Sequence, residues 1–392
     1  MFSLVFYLFL FAFLVFLIFL IFLAERFYNF FSLLCFMIQK GYGCAFGGGT
    51  IINAIASKKG SAFATEMKTY AQVIISDSKN GNKKISGRNL NDPDMNPYLM
   101  ERCVELVLER FDCKKTAEVW TKSDIPAAGG LKSSSAAANA CVMAALDALG
   151  IQVQDPDFEY KSHTDSQSNT QPNTQPNSTS GLTIDPLDVV KLGVSAAKDA
   201  KVTITGAFDD ACASFFGGVV LTDNSKMHLL KREEFHYDVL ILSPDFLVHS
   251  SQTNVQRSVL MKDLVDIAFD LASAGLYEKA MKLNGLLYCA ALGFDPKPAV
   301  FCMEAGQNFG IVSGLSGTGP SFTALFPPTR ENETQKSKEI LQIRQNVKEG
   351  WNLMCPKSRI FETKTCNRNA VFESSLFSEK MKLEKKDLIN CA

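Results

Sequence analysis

The pattern of hydrophobic and polar positions divides this chain of 392 residues into four parts. Residues 1–36 are an almost wholly apolar leader, and residues 371–392 form a charged tail. Between them, residues 37–235 and 236–370 mix apolar and polar segments as folded proteins do. Because this length is enough for two ordinary hydrophobic cores, we expect two domains, the second beginning just before the apolar strand YDVLILS.

Helical spacing of apolar residues predicts helices, and alternating or β-branched segments predict strands. The predicted helices cover residues 51–60, 98–111, 133–149, 186–199, 254–273, 277–289, 298–307 and 331–354. The predicted strands cover residues 42–50, 61–77 (one strand or two), 117–123, 200–206, 219–222, 237–243 and 359–365. The first strand is expected to enter a glycine loop. A second loop is predicted over residues 80–97, and a glycine-rich turn between strands over residues 310–326.

Residues 162–181 consist mostly of Ser, Thr, Asn, Gln and Pro and include the near-repeat QPNTQPN. Such a segment has too few apolar side chains to build a core. We therefore expect a disordered insertion in the first domain.

Two interpretations of the apolar leader remain open. Residues 1–24 are long enough to span a bilayer, but they lack a basic start and a small-residue cleavage site. The leader is therefore either a membrane anchor or a stretch upstream of a true translation start at Met37. We favour the start at Met37, since it lies a few residues before the first predicted element.

Composition excludes some classes of partner. The net charge of −1 gives no electrostatic reason to expect binding to nucleic acid or to an anionic membrane. The eleven cysteines show no CxxC pair, and the four histidines are not at metal-ligand spacing. We expect free thiols in a cytoplasmic protein.

One segment points to chemistry: IPAAGGLKSSSAAANA, over residues 125–140. Its glycines permit a tight turn, its serines favour a helix N-cap, and its alanines favour a helix. A glycine loop that opens a helix leaves unpaired N–H groups at the positive end of the helix dipole, which suits a phosphate chain. The usual nucleoside-triphosphate loop is excluded, because Leu131 separates Gly130 from Lys132.

Four stretches together resemble the small-molecule kinases grouped with galactokinase, homoserine kinase and mevalonate kinase (the GHMP kinases), and within them the archaeal type of shikimate kinase. The stretches are GGGTIINAIASKKGSAF (47–63), AAGGLKSSSAAANA (127–140), LDVVKLGVSAAKDAKVTITGAFDDACASFFGG (187–218) and SGLSGTGPSFTAL (313–325). The resemblance spans roughly residues 40 to 365. The first loop, Phe46 to Asn53, departs from the mevalonate kinase version, because it has no lysine after its glycines, and we expect no catalytic lysine from it.

The resemblance implies an α+β, two-domain GHMP-kinase fold, with a ribosomal-protein-like N-terminal domain, a ferredoxin-like C-terminal domain and an active site in the cleft between them. It also implies the activity: ATP phosphorylates the 3-hydroxyl of shikimate, with Mg²⁺, on the way to chorismate and aromatic amino acids. Another alcohol of the same superfamily, such as homoserine or mevalonate, remains an alternative acceptor, as does a homologue that binds ligand without catalysis. The oligomeric state is not predicted.

The resemblance also implies roles for particular residues. The ATP-binding candidates are Pro126, Ala127, Ala128, Gly129, Gly130, Leu131, Lys132, Ser133, Ser134, Ser135 and Ala136, with Gly317 and Thr318 from the later turn. Ser134 and Ser135 are the candidate Mg²⁺ ligands. The candidate bases are Asp209, slightly favoured, and Asp210, which lie in a predicted glycine-flanked turn and should raise one another's pKa. The candidates for the acceptor's carboxylate are unranked: Lys58, Lys59, Lys68 and Arg88.

Overall fold

The computed structural model describes residues 38–77, 84–154, 182–203, 206–245, 255–329 and 334–370. The leader (residues 1–36), the insertion (residues 162–181) and the tail (residues 371–392) lie outside the described residues. Within the described residues, every helix is too short or too polar to cross a bilayer.

The described residues form twelve strands and nine α-helices. The strands are β1 (Ile38–Ile52), β2 (Lys59–Ser76), β3 (Ile85–Asn89), β4 (Thr116–Ser123), β5 (Gln152–Val153), β6 (Thr183–Ile184), β7 (Val219–Asp223), β8 (His228–Glu233), β9 (Asp238–Pro244), β10 (Val312–Leu315), β11 (Phe322–Phe326) and β12 (Ser358–Lys364). The helices are α1 (Tyr98–Arg110), α2 (Ser133–Ala148), α3 (Pro186–Asp199), α4 (Phe208–Phe216), α5 (Val255–Val259), α6 (Lys262–Ser273), α7 (Tyr277–Leu292), α8 (Lys297–Ala305) and α9 (Gln335–Met354).

Two larger sheets organise the molecule. A six-stranded sheet follows the order β3-β4-β2-β7-β8, with β1 paired antiparallel along β2. A four-stranded antiparallel sheet follows the order β10-β11-β9-β12. The helices α1 to α4 share a hydrophobic core with the first sheet, and α6 to α9 share one with the second. This is the expected α+β organisation.

The expected glycine loop after the first strand is wrong, because β1 continues through all the glycines to Ile52. A Cβ on Gly48, in the expected loop, would lie 2.1 Å from the Phe63 carbonyl oxygen of β2, and two earlier glycines of β1 allow close packing against α2. A Cβ on Gly43 would lie 2.2 Å from the carbonyl oxygen of Ala140, and one on Gly41 would lie 2.1 Å from the backbone nitrogen of Ala148. The strand therefore lies directly against the alanine-rich helix α2, and both elements need small residues.

Three other expectations are wrong. The predicted helix at 51–60 is a turn between β1 and β2, in which the Lys58 N–H donates to the Ala54 carbonyl at 2.9 Å. The predicted strand at 200–206 does not form over residues 200–203, because the end of α3 passes there into a turn. The predicted loop at 80–97 contains β3, which pairs parallel with β4.

Most other elements are confirmed to within a few residues. Helix α3 has the predicted bounds because its ends are marked in the sequence: Asp185 caps its start through a 2.7 Å hydrogen bond to the Leu187 N–H, and Pro186 occupies the first turn. The predicted helix at 254–273 is divided into α5 and α6. The glycine-rich turn between β10 and β11 is confirmed.

Candidate active site

A cavity of about 790 Å³ is lined by residues from the part of the chain that forms the first sheet and from the part that forms the second. Its lining includes the loop before α2, the first turn of α4 and the turn after β10. Nine of the predicted ATP-binding residues line it: Pro126, Ala127, Ala128, Gly130, Lys132, Ser133, Ser134, Gly317 and Thr318. Both candidate bases line it too. Gly129, Leu131, Ser135 and Ala136 are buried beside the cavity and are not part of its lining.

The start of α2 differs from the sequence expectation in one respect. The N-cap is Lys132, in a left-handed conformation with φ of 67°, and the serines are the first helical residues. No side chain caps this helix start. Because the first N–H groups of a helix have no intrahelical acceptor, those of the three serines are available to an anion at the positive end of the helix dipole.

The turn after β10 holds the loop in place. The Ser316 hydroxyl donates to the Gly130 carbonyl at 2.8 Å, and the Ser321 N–H donates to the Gly129 carbonyl at 3.3 Å. Gly130 has a φ of 76°, and a Cβ there would lie 2.1 Å from the Ser316 carbonyl oxygen. Gly130 is therefore required both for its backbone conformation and for the close approach of the two segments.

Lys132 forms an ion pair with Asp210, and both residues line the cavity. Its Nζ lies 2.5 Å from Oδ1 of Asp210 and also donates to the Thr50 hydroxyl. Only 5% of Lys132 is exposed, so the ion pair is shielded from water on the lysine's side. The first loop, Phe46 to Asn53, carries no lysine, and Lys132 of the second motif brings its ammonium group to Thr50, directly after the glycines of that loop.

Thr50 and Asn53, at the end of β1, line the cavity and were not among the predicted site residues. Thr50 accepts a hydrogen bond from the Gly317 N–H at 2.8 Å, and Asn53 donates from Nδ2 to the Gly317 carbonyl at 2.8 Å. The Asn53 N–H in turn donates to Oδ1 of Asn284 at 3.0 Å. These partners are more than 200 residues apart in the chain, so no local pattern predicts the contacts.

Asp209 and Asp210 lie in the first turn of α4, where the sequence predicted an open turn. Asp209 is 4% exposed, and its Oδ1 accepts a hydrogen bond from Nδ2 of Asn224 at 2.8 Å. Burial, and then the charge of Asp210, raise the pKa of Asp209 to about 7, against the opposing effects of Lys132 and Asn224. Asp210 is half-buried and faces Lys132. The two acids are neighbours in sequence, but their carboxylates therefore have different surroundings.

The four candidate cations for an acceptor carboxylate are not part of the cavity lining. Lys59 and Lys68 instead lie over the rings of Phe269 and Phe46, at 5.4 and 5.7 Å from the ring centroids. The cations that do line the cavity are Lys132, Lys201 and Arg359.

The donors for a metal ion are sparse. Within the described residues, no three His, Cys, Asp or Glu side chains form a cluster that could hold a metal by themselves. Mg²⁺ often binds to one or two protein oxygens together with phosphate oxygens, and the half-buried Ser134 and the carboxylate of Asp210 at the same cavity fit that mode.

Comparisons with known proteins identify the family of the chain and its fold. Residues 98–160, which include the loop and all of α2, match the family model of the GHMP kinases N terminal domain. The chain is similar in fold to a homoserine kinase from Cytophaga hutchinsonii (TM-score 0.56, 16% identity, 85% of this chain and 97% of that one). It is also similar to a galactokinase from Lactococcus lactis (TM-score 0.56, 13% identity, 85% of this chain and 95% of that one).

The curated relatives are much closer in sequence. A shikimate kinase of Methanosarcina acetivorans is 44% identical over 335 residues, 86% of this chain and 97% of the relative. The shikimate kinases of Methanococcoides burtonii and Halobacterium salinarum are 47% and 38% identical, and each match covers 88% of the relative and 74% or 73% of this chain. The chain therefore belongs to the archaeal type of shikimate kinase within the GHMP kinase family.

Proposed function

We propose that this protein transfers the γ-phosphoryl group of ATP to the 3-hydroxyl of shikimate. The relatives over most of the chain are shikimate kinases, and the fold is that of small-molecule kinases. The single observation that carries the mechanism is the Lys132–Asp210 ion pair, which lies in one cavity with an uncapped helix start. We further propose that the cavity lies between two domains, residues 37–235 and 236–370.

We propose Asp210 as the general base, in preference to Asp209. Asp210 is half-buried at the cavity, whereas Asp209 is almost fully buried and its Oδ1 is engaged by Asn224. In the transfer, the shikimate oxygen forms a bond to phosphorus, its proton passes to the Asp210 carboxylate, and ADP leaves with the electron pair of the broken bond. The Lys132 ammonium, 2.5 Å from Oδ1 of Asp210, holds this carboxylate in position at the cavity.

We assign the ATP phosphates to the loop from Pro126 to Ser134 and to the turn with Gly317 and Thr318. The helix start supplies N–H donors and a positive dipole, and Lys132 supplies a full charge, so the segment favours oxyanions. When bound with ATP, Mg²⁺ would neutralise phosphate charge, and Ser134 is the residue we expect to hold it together with the phosphate oxygens. Ser135 is less suitable because its side chain is buried away from the cavity.

A substrate panel tests the proposed function. Purified protein with ATP and Mg²⁺ is given shikimate, homoserine or mevalonate, and ADP release is followed with a coupled assay. We expect turnover with shikimate and little with the other two alcohols. Turnover with homoserine or mevalonate and none with shikimate would overturn the proposal.

A further inference from the structure

The Thr50 side chain has one hydrogen-bonding capacity that the protein leaves unused. Its hydroxyl accepts hydrogen bonds from the Lys132 ammonium and from the Gly317 N–H, the latter at 2.8 Å. A hydroxyl oxygen has two acceptor lone pairs and one donor proton, so both lone pairs are occupied. Among the described residues, no group accepts the remaining proton.

Thr50 lines the cavity, and 1% of the residue is exposed to solvent. A buried polar group without a partner is costly, and native proteins rarely retain one. Because both lone pairs of the Thr50 hydroxyl are occupied, it can only donate, and it suits a hydrogen-bond acceptor on a ligand that fills the cavity.

The groups around Thr50 indicate which hydrogen-bond acceptor on a ligand its hydroxyl would meet. The start of α2 favours negative charge in this cavity, and the Lys132 ammonium lies between the Thr50 hydroxyl and the Asp210 carboxylate. The attacking hydroxyl of an alcohol substrate needs its lone pair for phosphorus, so a donor aimed at that oxygen would oppose the reaction. An equatorial oxygen of the phosphoryl group gains negative charge and keeps lone pairs free throughout the transfer.

We propose that Thr50 Oγ1 donates a hydrogen bond to an oxygen of the phosphoryl group in transfer, and is a catalytic residue. The same oxygen atom accepts from Lys132 and Gly317, so Thr50 also fixes both phosphate-facing segments relative to that group. This inference rests on the proposed phosphoryl transfer. The first loop, Phe46 to Asn53, has no lysine, and Thr50 would be its contact with the transferred phosphoryl group.

Replacement of Thr50 tests the donor. Thr50→Val keeps the side-chain shape without a hydroxyl, and Thr50→Ser keeps the hydroxyl. Removal of a single donor to a developing oxyanion lowers kcat by about 10²–10³-fold, so we expect that loss for Thr50→Val and a loss of less than about tenfold for Thr50→Ser. A matched control is Thr65→Val, because Thr65 is also 1% exposed with an unpaired Oγ1 but lies outside the cavity lining. We expect that control to retain the wild-type kcat.

A binding measurement distinguishes a catalytic role of Thr50 from a purely structural one. ADP with tetrafluoroaluminate imitates the planar phosphoryl group, whereas ADP alone does not. We expect Thr50→Val, or Thr50→Ala if the valine variant does not fold, to weaken binding of the ADP–fluoroaluminate complex at least tenfold more than binding of ADP.

Equal loss of both affinities would overturn the proposal in favour of a structural role, and so would a Thr50→Ser variant as inactive as Thr50→Val. Absence of shikimate turnover in the wild type would refute the proposed acceptor alone, because the comparison of ADP with ADP–fluoroaluminate does not depend on the acceptor's identity.

Discussion

Asp209 and Asp210 are neighbours in sequence, but their carboxylates have different surroundings. Asp209 is enclosed by Gly60, where a Cβ would lie 2.4 Å from its Oδ2, and by the Asn224 amide. Asp210 is partly open to the cavity and paired with Lys132. Environments that separate two acids in this way assign them different roles.

The first prediction concerns the rate. Asp210→Asn removes the proposed base, so we expect kcat to fall by about 10²–10⁴-fold. Asp209→Asn keeps a hydrogen-bonding side chain at a position that we place outside the proton transfer, so we expect a loss of less than about tenfold. Steady-state kinetics with saturating ATP measures both. A larger loss for Asp209→Asn would make Asp209 the base.

The second prediction concerns stability and pH. The pKa of Asp209 is raised to about 7 in the fold, above its usual value of 3.8. Between these two values the folded protein holds a proton that the unfolded chain has lost, so this group makes the free energy of unfolding fall as pH rises. Above about pH 7 the effect is constant.

Asp209→Asn removes this titration. We expect the free energy of unfolding of the variant, minus that of the wild type, to increase from pH 4.5 to pH 7 and then to stay constant. Urea denaturation at several pH values measures this difference. A gain that does not change with pH would contradict the raised pKa.

At the scale of elements, the pairing of β1 with α2 sets the geometry of the site. The strand brings Thr50 to the cavity, and the helix brings its uncapped start to the same place. They approach closely because β1 carries glycines where α2 carries alanines.

The third prediction tests that close approach. Gly43→Ala places a methyl group 2.2 Å from the Ala140 carbonyl oxygen, so the strand and helix must separate. We expect the free energy of unfolding to fall by about 3 kcal/mol or more, since overpacking of a rigid core is strongly destabilising. Gly150→Ala is the control: it meets no atom within 4 Å, and its φ of 69° accounts for a loss of about 1 kcal/mol. Chemical denaturation of both variants gives the comparison.

Elements with their own end signals could be predicted from the sequence. Helix α3 carries an N-cap aspartate and a first-turn proline, and its predicted bounds are confirmed. The glycines of β1 misled because glycine serves turns and close packing alike, and only the facing helix distinguishes the two. The loop before α2 was predicted from its own composition, but the partners of Lys132 were not, because Thr50 and Asp210 are each about 80 residues away.

At the scale of the whole molecule, the site depends on contacts between the two halves of the chain. Gly317 is held by Thr50 and Asn53, and Asn53 is held in turn by Asn284 of α7. The second hydrophobic core also includes Ile51, Ile52 and other residues of the first half. The phosphate-facing turn and the helix start are therefore positioned by a continuous set of contacts.

The fourth prediction tests that connection. Asn284→Ala leaves the buried Asn53 N–H without its acceptor, so we expect a loss of about 1–3 kcal/mol in the free energy of unfolding and a higher KM for ATP as Gly317 moves. The control is Asn346→Ala, which removes an exposed contact with Gln342 and should cost less than about 0.5 kcal/mol. An unchanged KM for ATP in Asn284→Ala would contradict the connection.

Identification of the product tests the proposed phosphoryl transfer to shikimate without an intermediate step of inference. The protein is incubated with ATP, Mg²⁺ and shikimate, and the mixture is followed by phosphorus NMR with proton coupling. We predict one new phosphate monoester coupled to the proton on carbon 3 of shikimate, formed together with ADP. An ester on another hydroxyl, or ADP formed without any shikimate ester, would contradict the account.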